Sequence, residues 1–341
     1  METLYKCVIW DLDNTLWNGI CLEGRVEPRD EVRRTLEVLR DRGVLHSIAS
    51  RGDEAVARQT LESYDLRKYF VEPKINWLPK NTNILDIART LNISLDAVAF
   101  VDDDPFEREQ ISYMLPAVRV IEAGEAAALP DLDGFNPGVL TAEARTRTRL
   151  YEEEQGRQSA AASYTSREDF LLSCRMQLDL RPATAGDAPR VMELMQRTHQ
   201  MNSTGLLLSE SALLGIIRDS EEGPHLYVAE LSDRFGWCGI IGVFLAEVDG
   251  PQWQVALFAM SCRVMGRGIE RAIISELVDR ATARGCRHFR ALYHATERNR
   301  MMRTMFQMSG FRQQGMRDNG STFFELDFTQ KPTRPSWVSV I

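Results

Sequence analysis

Asp11 and Asp13 stand two residues apart at the end of an apolar run, in the stretch YKCVIWDLDNTLWNG that covers residues 5–19. An ionised carboxylate in an apolar setting is costly unless a cation or hydrogen-bond donors compensate it. Two of them beside Asn14 and Thr15 point to a cation, a phosphate or both. The pattern returns twice more. SIASRGD (47–53) places Ser50 and Arg51 after a second apolar run, and FVDDDPFER (100–108) places Asp102, Asp103 and Asp104 after a third. These groups suit phosphoryl transfer. Asp11 attacks phosphorus, and Asp13 protonates the leaving oxygen. Asp11, Asp13 and Asp102 are the expected ligands of a magnesium ion, which takes oxygen donors and keeps several waters. Ser50 and a lysine bind the equatorial oxygens, where charge accumulates. Lys80 is the expected lysine because it opens a helix whose amides also favour an anion, with Lys74 as the reserve.

The elements that must position these groups alternate between short apolar runs and helical periodicity from Tyr5 to about Ala123. YKCVIWDLD, VLHSIAS, YFVEPKI, AVAFVDDD and VRVIEA read as strands. PRDEVRRTLEVLRDRG, DEAVARQTLESY, KNTNILDIARTL and PFEREQISYML read as helices between them, the first with Val32, Leu36 and Leu39 on one face. Such alternation predicts a parallel sheet with helices on both faces, and ligands bind beyond the carboxyl ends of its strands. All three polar clusters fall at such ends, so they converge on one crevice.

DLDNT, SIASRGD, Lys80 and FVDDDPFER, in that order, resemble the four motifs of haloacid-dehalogenase-type (HAD) phosphatases. The resemblance implies magnesium dependence and carries Thr15, Ser50 and Arg51 to the substrate phosphate. The longer strings VIWDLDNTLWNG, INWLPKN and FVDDDPFERE resemble a narrower group, the FkbH-like proteins of polyketide pathways. Little sequence separates Trp17 from the first helix, and no insertion follows Ser50, so no large cap domain is expected over the crevice.

The second half has another layout. DLDGFNPGVL reads as a loop, and TAEARTRTRLYEEEQGRQSAAASY as a connecting helix. From Met176 a strand, two helices, three strands in an antiparallel meander (HLYVAEL, GWCGIIGVFLAEVD, QWQVALFAMSC), a helix over 266–284, a strand, a helix and the strand TFFELDF follow. This order resembles the GNAT acyltransferase fold. Arg263, Gly266 and Gly268 in SCRVMGRGIE match that family's R/Q-x-x-G-x-G loop, whose amides hold the pyrophosphate of coenzyme A. One departure concerns the chemistry. Asn299 matches an Asn early in the last helix, but position 306 is Phe where many GNAT enzymes carry the Tyr that protonates the departing thiolate.

Cys262, at a strand end just before the glycine loop, is a candidate acyl-carrying nucleophile, since nearby arginines favour its thiolate. His199 is the candidate base by family pattern, with Gln200 and Asn202 as polar support, and Cys21 in NGICLEG is the rival nucleophile. The methionine stripes VMELMQ and MMRTMFQM read as packing.

Composition narrows the classes. At 341 residues the chain has room for two domains, expected as a HAD-like domain over 1–130, a helical linker over 131–175, a GNAT-like domain over 176–330 and a tail over 331–341. No signal peptide or membrane-length apolar stretch appears, and the six cysteines form no paired motif, which predicts a cytoplasmic protein. The net charge of −8 argues against nucleic acid, although residues 263–317 hold twelve arginines against four acids, a local face for phosphate or an acidic partner.

The FkbH resemblance covers nearly the whole chain. It implies a glyceryl transferase–phosphatase that takes the glyceryl group of 1,3-bisphosphoglycerate, removes the phosphates and loads the phosphopantetheine thiol of a holo acyl carrier protein, with Mg2+ as cofactor. Two other readings stay open: a magnesium phosphatase with a non-catalytic GNAT-like docking domain, and an N-acyltransferase with a degenerate HAD-like half.

Overall fold

The computed structural model describes residues 4–136, 140–219, 224–317 and 320–341. The chain divides into two compact units, 1–152 and 153–341.

The first unit is a five-stranded parallel sheet. Its strands are β1 (Cys7–Trp10), β2 (Leu45–Ser50), β3 (Lys74–Ile75), β4 (Val98–Asp102) and β5 (Arg119–Glu122), in the order β3-β2-β1-β4-β5. β1 is buried throughout because helices cover both faces. Val8 and Trp10 pack toward α1 (Asp30–Asp41) and α2 (Glu54–Ser63), among Leu36, Leu39 and Leu61. Cys7 and Ile9 pack toward α3 (Lys80–Thr90) and α4 (Pro105–Met114), among Ile84, Ile87 and Ile111. Local chemistry starts these helices where the sequence requires. Asp53 caps α2 by accepting from the amides of Ala55 and Val56, while Asp104 caps α4 through Phe106, with Pro105 at the first helical position.

Two local departures bear on the site. The strand expected over YFVEPKI is reduced to Lys74–Ile75, because Glu72 adopts a left-handed φ of 47° and Pro73 lacks an amide donor. The segment between β1 and α1 forms a small antiparallel ribbon, Trp17–Asn18 with Glu27–Pro28, in place of a cap domain.

The second unit carries an eight-stranded mixed sheet. Its strands are β6 (Met176–Pro182), β7 (His225–Asp233), β8 (Gly236–Asp249), β9 (Gln252–Met260), β10 (His288–His294), β11 (Arg312–Met316), β12 (Ser321–Leu326) and β13 (Val338–Val340), ordered β11-β12-β10-β9-β8-β7-β6-β13. β7, β8 and β9 form the expected antiparallel meander. β9 and β10 pair in parallel only from Gln252↔His288 to Val255↔Ala291 and then part. The gap is bridged by the chain itself. Met201 O accepts from the amide of Met260, Ser203 N donates to Phe258 O at 2.9 Å, and Ser203 O accepts from the amide of His294 at 2.8 Å.

β11 and β13 have no counterpart in the expected order. RQQGM has no apolar alternation and VSV is very short, yet β13 pairs with β6, so the segment expected as a tail joins the sheet. The expected linker holds α5 (Ala142–Arg145), α6 (Arg147–Ala161) and α7 (Arg167–Cys174), and the division between the units falls within α6. Residues 137–139 of the expected loop lie outside the described residues. The fold is α/β: a HAD-like parallel-sheet domain without a large cap, followed by a GNAT-like α+β domain with α8 (Ala188–Arg197), α9 (Glu210–Arg218), α10 (Ile269–Ala283) and α11 (Arg300–Met308).

Candidate active site

The carboxyl ends of β1, β2 and β4 bring Asp11, Ser50 and Asp102 together. Lys80, the first residue of α3, reaches across to them. Its Nζ lies 2.9 Å from Asp11 Oδ1 and 2.6 Å from Asp102 Oδ2, and all three side chains are buried. Ser50 lies close enough to Asp11 to favour its charged form. Lys74, the reserve lysine, pairs instead with Asp86 at 2.6 Å.

Burial pushes the Asp11 carboxyl up to about 6, the Lys80 ammonium opposes the rise and the charge of Asp102 adds to it. Asp102 is also raised by burial, against the pull of Lys80. Burial alone would lower Lys80, but the two carboxylates hold its pKa above the ordinary value. One ammonium therefore serves two buried carboxylates.

Asp103 adds a third. Carboxylate oxygens of Asp11, Asp102 and Asp103 lie within 4.8 Å of one another, the one group of this kind among the described residues. An all-oxygen, net-negative donor set fits a hard divalent cation such as magnesium. Asp13, expected as a ligand with Asp11 and Asp102, is not in this carboxylate group, and Asp103 is. Asp13 Oδ1 instead accepts from Trp17 Nε1 at 2.8 Å and from the amide of Cys21 at 3.0 Å. Those bonds hold the carboxylate at the ribbon, two residues beyond Asp11 in the chain.

Thr15 was expected at the substrate phosphate. It is fully buried, and its Oγ1 accepts from the amide of Asp103 at 3.1 Å, which ties it to the loop after β4. Arg108 supports the same loop by donating to the carbonyls of Asp102 and Asp103. Arg51 pairs with Glu107 on α4 at 3.0 Å, a partner that no sequence pattern singles out.

In the second unit, Gly266 and Gly268 take left-handed φ values of 74° and 79° at the turn into α10. A Cβ at Gly268 would come within 2.9 Å of Pro335 Cγ, so the loop needs glycine for space as well. Arg167 donates to Gly266 O, Trp337 Nε1 donates to Arg267 O at 2.7 Å, and Arg267 pairs with Glu154. Arg263 turns a guanidinium donor back to Cys238 O at 3.4 Å. Cys262 is half-buried just before this loop, with Gln200 Oε1 3.9 Å from its Sγ. His199 is half-buried one residue earlier in the chain than Gln200.

Asn299 and Asn202 are both tied into the chain itself. Asn299 Nδ2 donates to Asn202 O and His294 O, while its Oδ1 accepts from Tyr293 Oη and the amide of Thr296. All four of its hydrogen-bonding positions are used. Asn202 Oδ1 accepts from the amides of Thr204 and Gly205, closing a turn. Phe306 is fully buried against Phe258, Phe311 and Phe324. The second methionine stripe is not all packing. Met301, Met305 and Met308 join Met201, Met260 and Met265 around a cavity of 520 Å³ beside Gly266.

The chain matches no known protein-family model and no curated protein. Among solved structures it is similar to the N-terminal part of a Bacteroides fragilis protein containing a phosphatase domain, complexed with Mg. There the identity is 28% and the TM-score 0.32, over 36% of this chain and 38% of that one. It is similar to the aminoglycoside acetyltransferase AAC(6')-Ib in complex with coenzyme A, at 14% identity and TM-score 0.37, over 45% of this chain and 96% of that one. A phosphinothricin acetyltransferase of the GNAT superfamily from Sinorhizobium meliloti, in complex with AcCoA, matches at 23% identity and TM-score 0.34, over 43% of this chain and 86% of that one. No helix of the described residues is long and apolar enough to cross a membrane.

Proposed function

We propose that the protein is a magnesium-dependent phosphatase joined to an acyl transferase, and that it moves the glyceryl group of 1,3-bisphosphoglycerate to the phosphopantetheine thiol of a holo acyl carrier protein. The observation that carries the phosphatase half is the buried Lys80 between Asp11 and Asp102, with Asp103 completing the carboxylate group. Asp11, Asp102 and Asp103 would hold magnesium, which when bound neutralises charge on the transferring phosphoryl group. Asp11 attacks phosphorus and forms an aspartyl phosphate. Asp13, fixed by Trp17 and Cys21, gives a proton to the leaving oxygen and then takes one from the water that cleaves the aspartyl phosphate. Lys80 and Ser50 stabilise the phosphoryl oxygens.

For acyl transfer, the Cys262 thiolate attacks the acyl carbon of the 1-phosphate and expels inorganic phosphate. The carrier thiol, giving up its proton to a base such as His199, then takes the acyl group and releases the Cys262 thiolate. The reading favours Cys262 over Cys21, because burial and the adjacent Asp13 charge push the Cys21 thiol up to about 11. The net positive charge of residues 263–317, twelve arginines against four acids, favours an acidic carrier.

A second reading has its own support. The gap between β9 and β10 is filled by Met201–Ser203, as suits a GNAT-like unit that docks a partner without chemistry. The N-acyltransferase reading is less favoured, since the side chain at 306 is a buried phenyl ring.

Intact-protein mass spectrometry after incubation with 1,3-bisphosphoglycerate and Mg2+, with and without a holo carrier protein, separates these readings. The proposal expects a glyceryl or phosphoglyceryl adduct that maps to Cys262 and disappears when carrier is added. An adduct on Cys21 would move the transferase site into the first unit. Unmodified protein and unmodified carrier would leave only the phosphatase reading.

A further inference from the structure

Glu107 is a buried acid that the reaction scheme above does not use. It lies in the first turn of α4, only 4% exposed, with Oε1 3.0 Å from a terminal nitrogen of Arg51 and with Oε2 buried and lacking a hydrogen-bond partner. An acid three residues after a helix cap ordinarily reaches back to the cap amide. That use is absent here, because the amide of the cap residue Asp104 donates to Asp102 Oδ1. A buried carboxylate so placed is costly unless its partner matters.

The topology gives the pair its place. Arg51 follows the last residue of β2, and Glu107 stands on the helix that follows β4; these two strands flank β1 on opposite sides. They are therefore two interstrand spacings apart, roughly 10 Å. An ion pair that joins the loops beyond their carboxyl ends must pass across the end of β1, where Asp11 begins. Arg51 is 39% exposed, so the guanidinium donors not used by Glu107 are open to a ligand in the crevice.

We propose that Glu107 is a positioning residue that aims Arg51 at the phosphoryl group held by Asp11, Ser50 and Lys80, opposite the lysine. The inference rests on the phosphatase reading and adds to it the residue that orients Arg51. A planar guanidinium binds two phosphoryl oxygens at once, which a lysine does not.

A double-mutant cycle tests this, with p-nitrophenyl phosphate and Mg2+ as the turnover probe and inorganic phosphate as the binding probe. Arg51→Ala should lower kcat/KM and weaken the binding of inorganic phosphate, read by calorimetry, at least tenfold. Arg51→Lys, which keeps the charge without the fork, should recover only part of the loss. Glu107→Gln preserves size and should show a loss of similar size with an unchanged melting temperature. In the Arg51→Ala background it should cost less than a further factor of two, because its effect passes through the arginine. Unchanged kinetics in Glu107→Gln or in Arg51→Ala would overturn the proposal, and so would losses that multiply in the double variant. Phosphate binding is read without turnover, so it separates a wrong assignment of Glu107 from a failure of the phosphatase reading. In that second failure, wild-type protein and Asp11→Asn would hydrolyse the ester equally poorly.

Discussion

Lys80 Nζ and Asp102 Oδ2 are 2.6 Å apart, and the Asp102 side chain is completely buried. Asp102 therefore depends on Lys80, and so does Asp11 on the other side of the same nitrogen. Replacing Lys80 with Met removes the ammonium while keeping most of the volume, and it leaves two buried carboxylates facing each other. Breaking a buried pair in this way costs about 3–5 kcal/mol. Phosphate release should fall by orders of magnitude, and the first unit should melt earlier. Added Mg2+ should raise the melting temperature of Lys80→Met more than that of the wild type, a difference that calorimetry reads directly.

Lys74 is the matched control. Its partner is Asp86, and both side chains are partly exposed to solvent, so Lys74→Ala should change stability by less than about 1 kcal/mol and leave phosphate release unaltered. A loss of activity in Lys74→Ala comparable to that in Lys80→Met would reverse the choice between the two lysines.

How far the sequence revealed this site can be argued from these residues. Asp11, Ser50 and Asp102 were legible because a parallel sheet collects the ends of its strands, and spacing alone placed each residue at such an end. Asp103 in place of Asp13 was not read, because ligation depends on which way each carboxylate turns. Trp17 Nε1 and the Cys21 amide decide that for Asp13 from within the ribbon. Glu107 escaped for a similar reason, since its partner Arg51 is remote in sequence and adjacent only through strand order. In the second unit the meander was plain from periodicity, and the glycine loop from its likeness to the R/Q-x-x-G-x-G motif. The filling of the strand gap by Met201–Ser203 was not, because those bonds are made by backbone groups that carry no residue-type signal. Asn202 and Asn299 look like ligand-binding amides in sequence, yet only the fold shows that their hydrogen bonds go to the chain itself.

His46 supplies a pH prediction. It is fully buried on β2, where its Nδ1 accepts from Trp10 Nε1 at 3.1 Å and its Nε2 faces Leu36 O at 3.0 Å, an arrangement that suits the neutral ring. Burial pushes its pKa down to about 3, with the carbonyl of Leu36 opposing the change. In the unfolded chain the ring titrates near 6.5, so between those values the unfolded state binds one more proton than the folded state. The stability linked to His46 is thus fully present above about pH 6.5 and is lost as the pH falls toward about 3. Denaturation midpoints measured from pH 7 to pH 4 should fall by roughly one proton's slope more in the wild type than in His46→Gln.

Thiol chemistry distinguishes the two candidate cysteines. With its pKa near 11, Cys21 is a thiolate in roughly one molecule in a thousand at pH 8. Alkylation by iodoacetamide at that pH, mapped by peptide mass, should label Cys262 well before Cys21. Cys262→Ser should then abolish carrier loading while sparing phosphate release by Asp11. Faster labelling of Cys21 would remove the chemical basis for preferring Cys262.

The central claim is that Asp11 is the nucleophile of a phosphoryl-transfer site. The most direct test is the steady-state rate of inorganic phosphate release from p-nitrophenyl phosphate with Mg2+, in the wild type and in Asp11→Asn, which keeps the shape of the side chain and removes its nucleophilic charge. The account predicts release by the wild type that disappears on chelation of Mg2+, and a loss of about a thousandfold or more in Asp11→Asn at an intact fold. Retention of most of the wild-type rate by Asp11→Asn would contradict it.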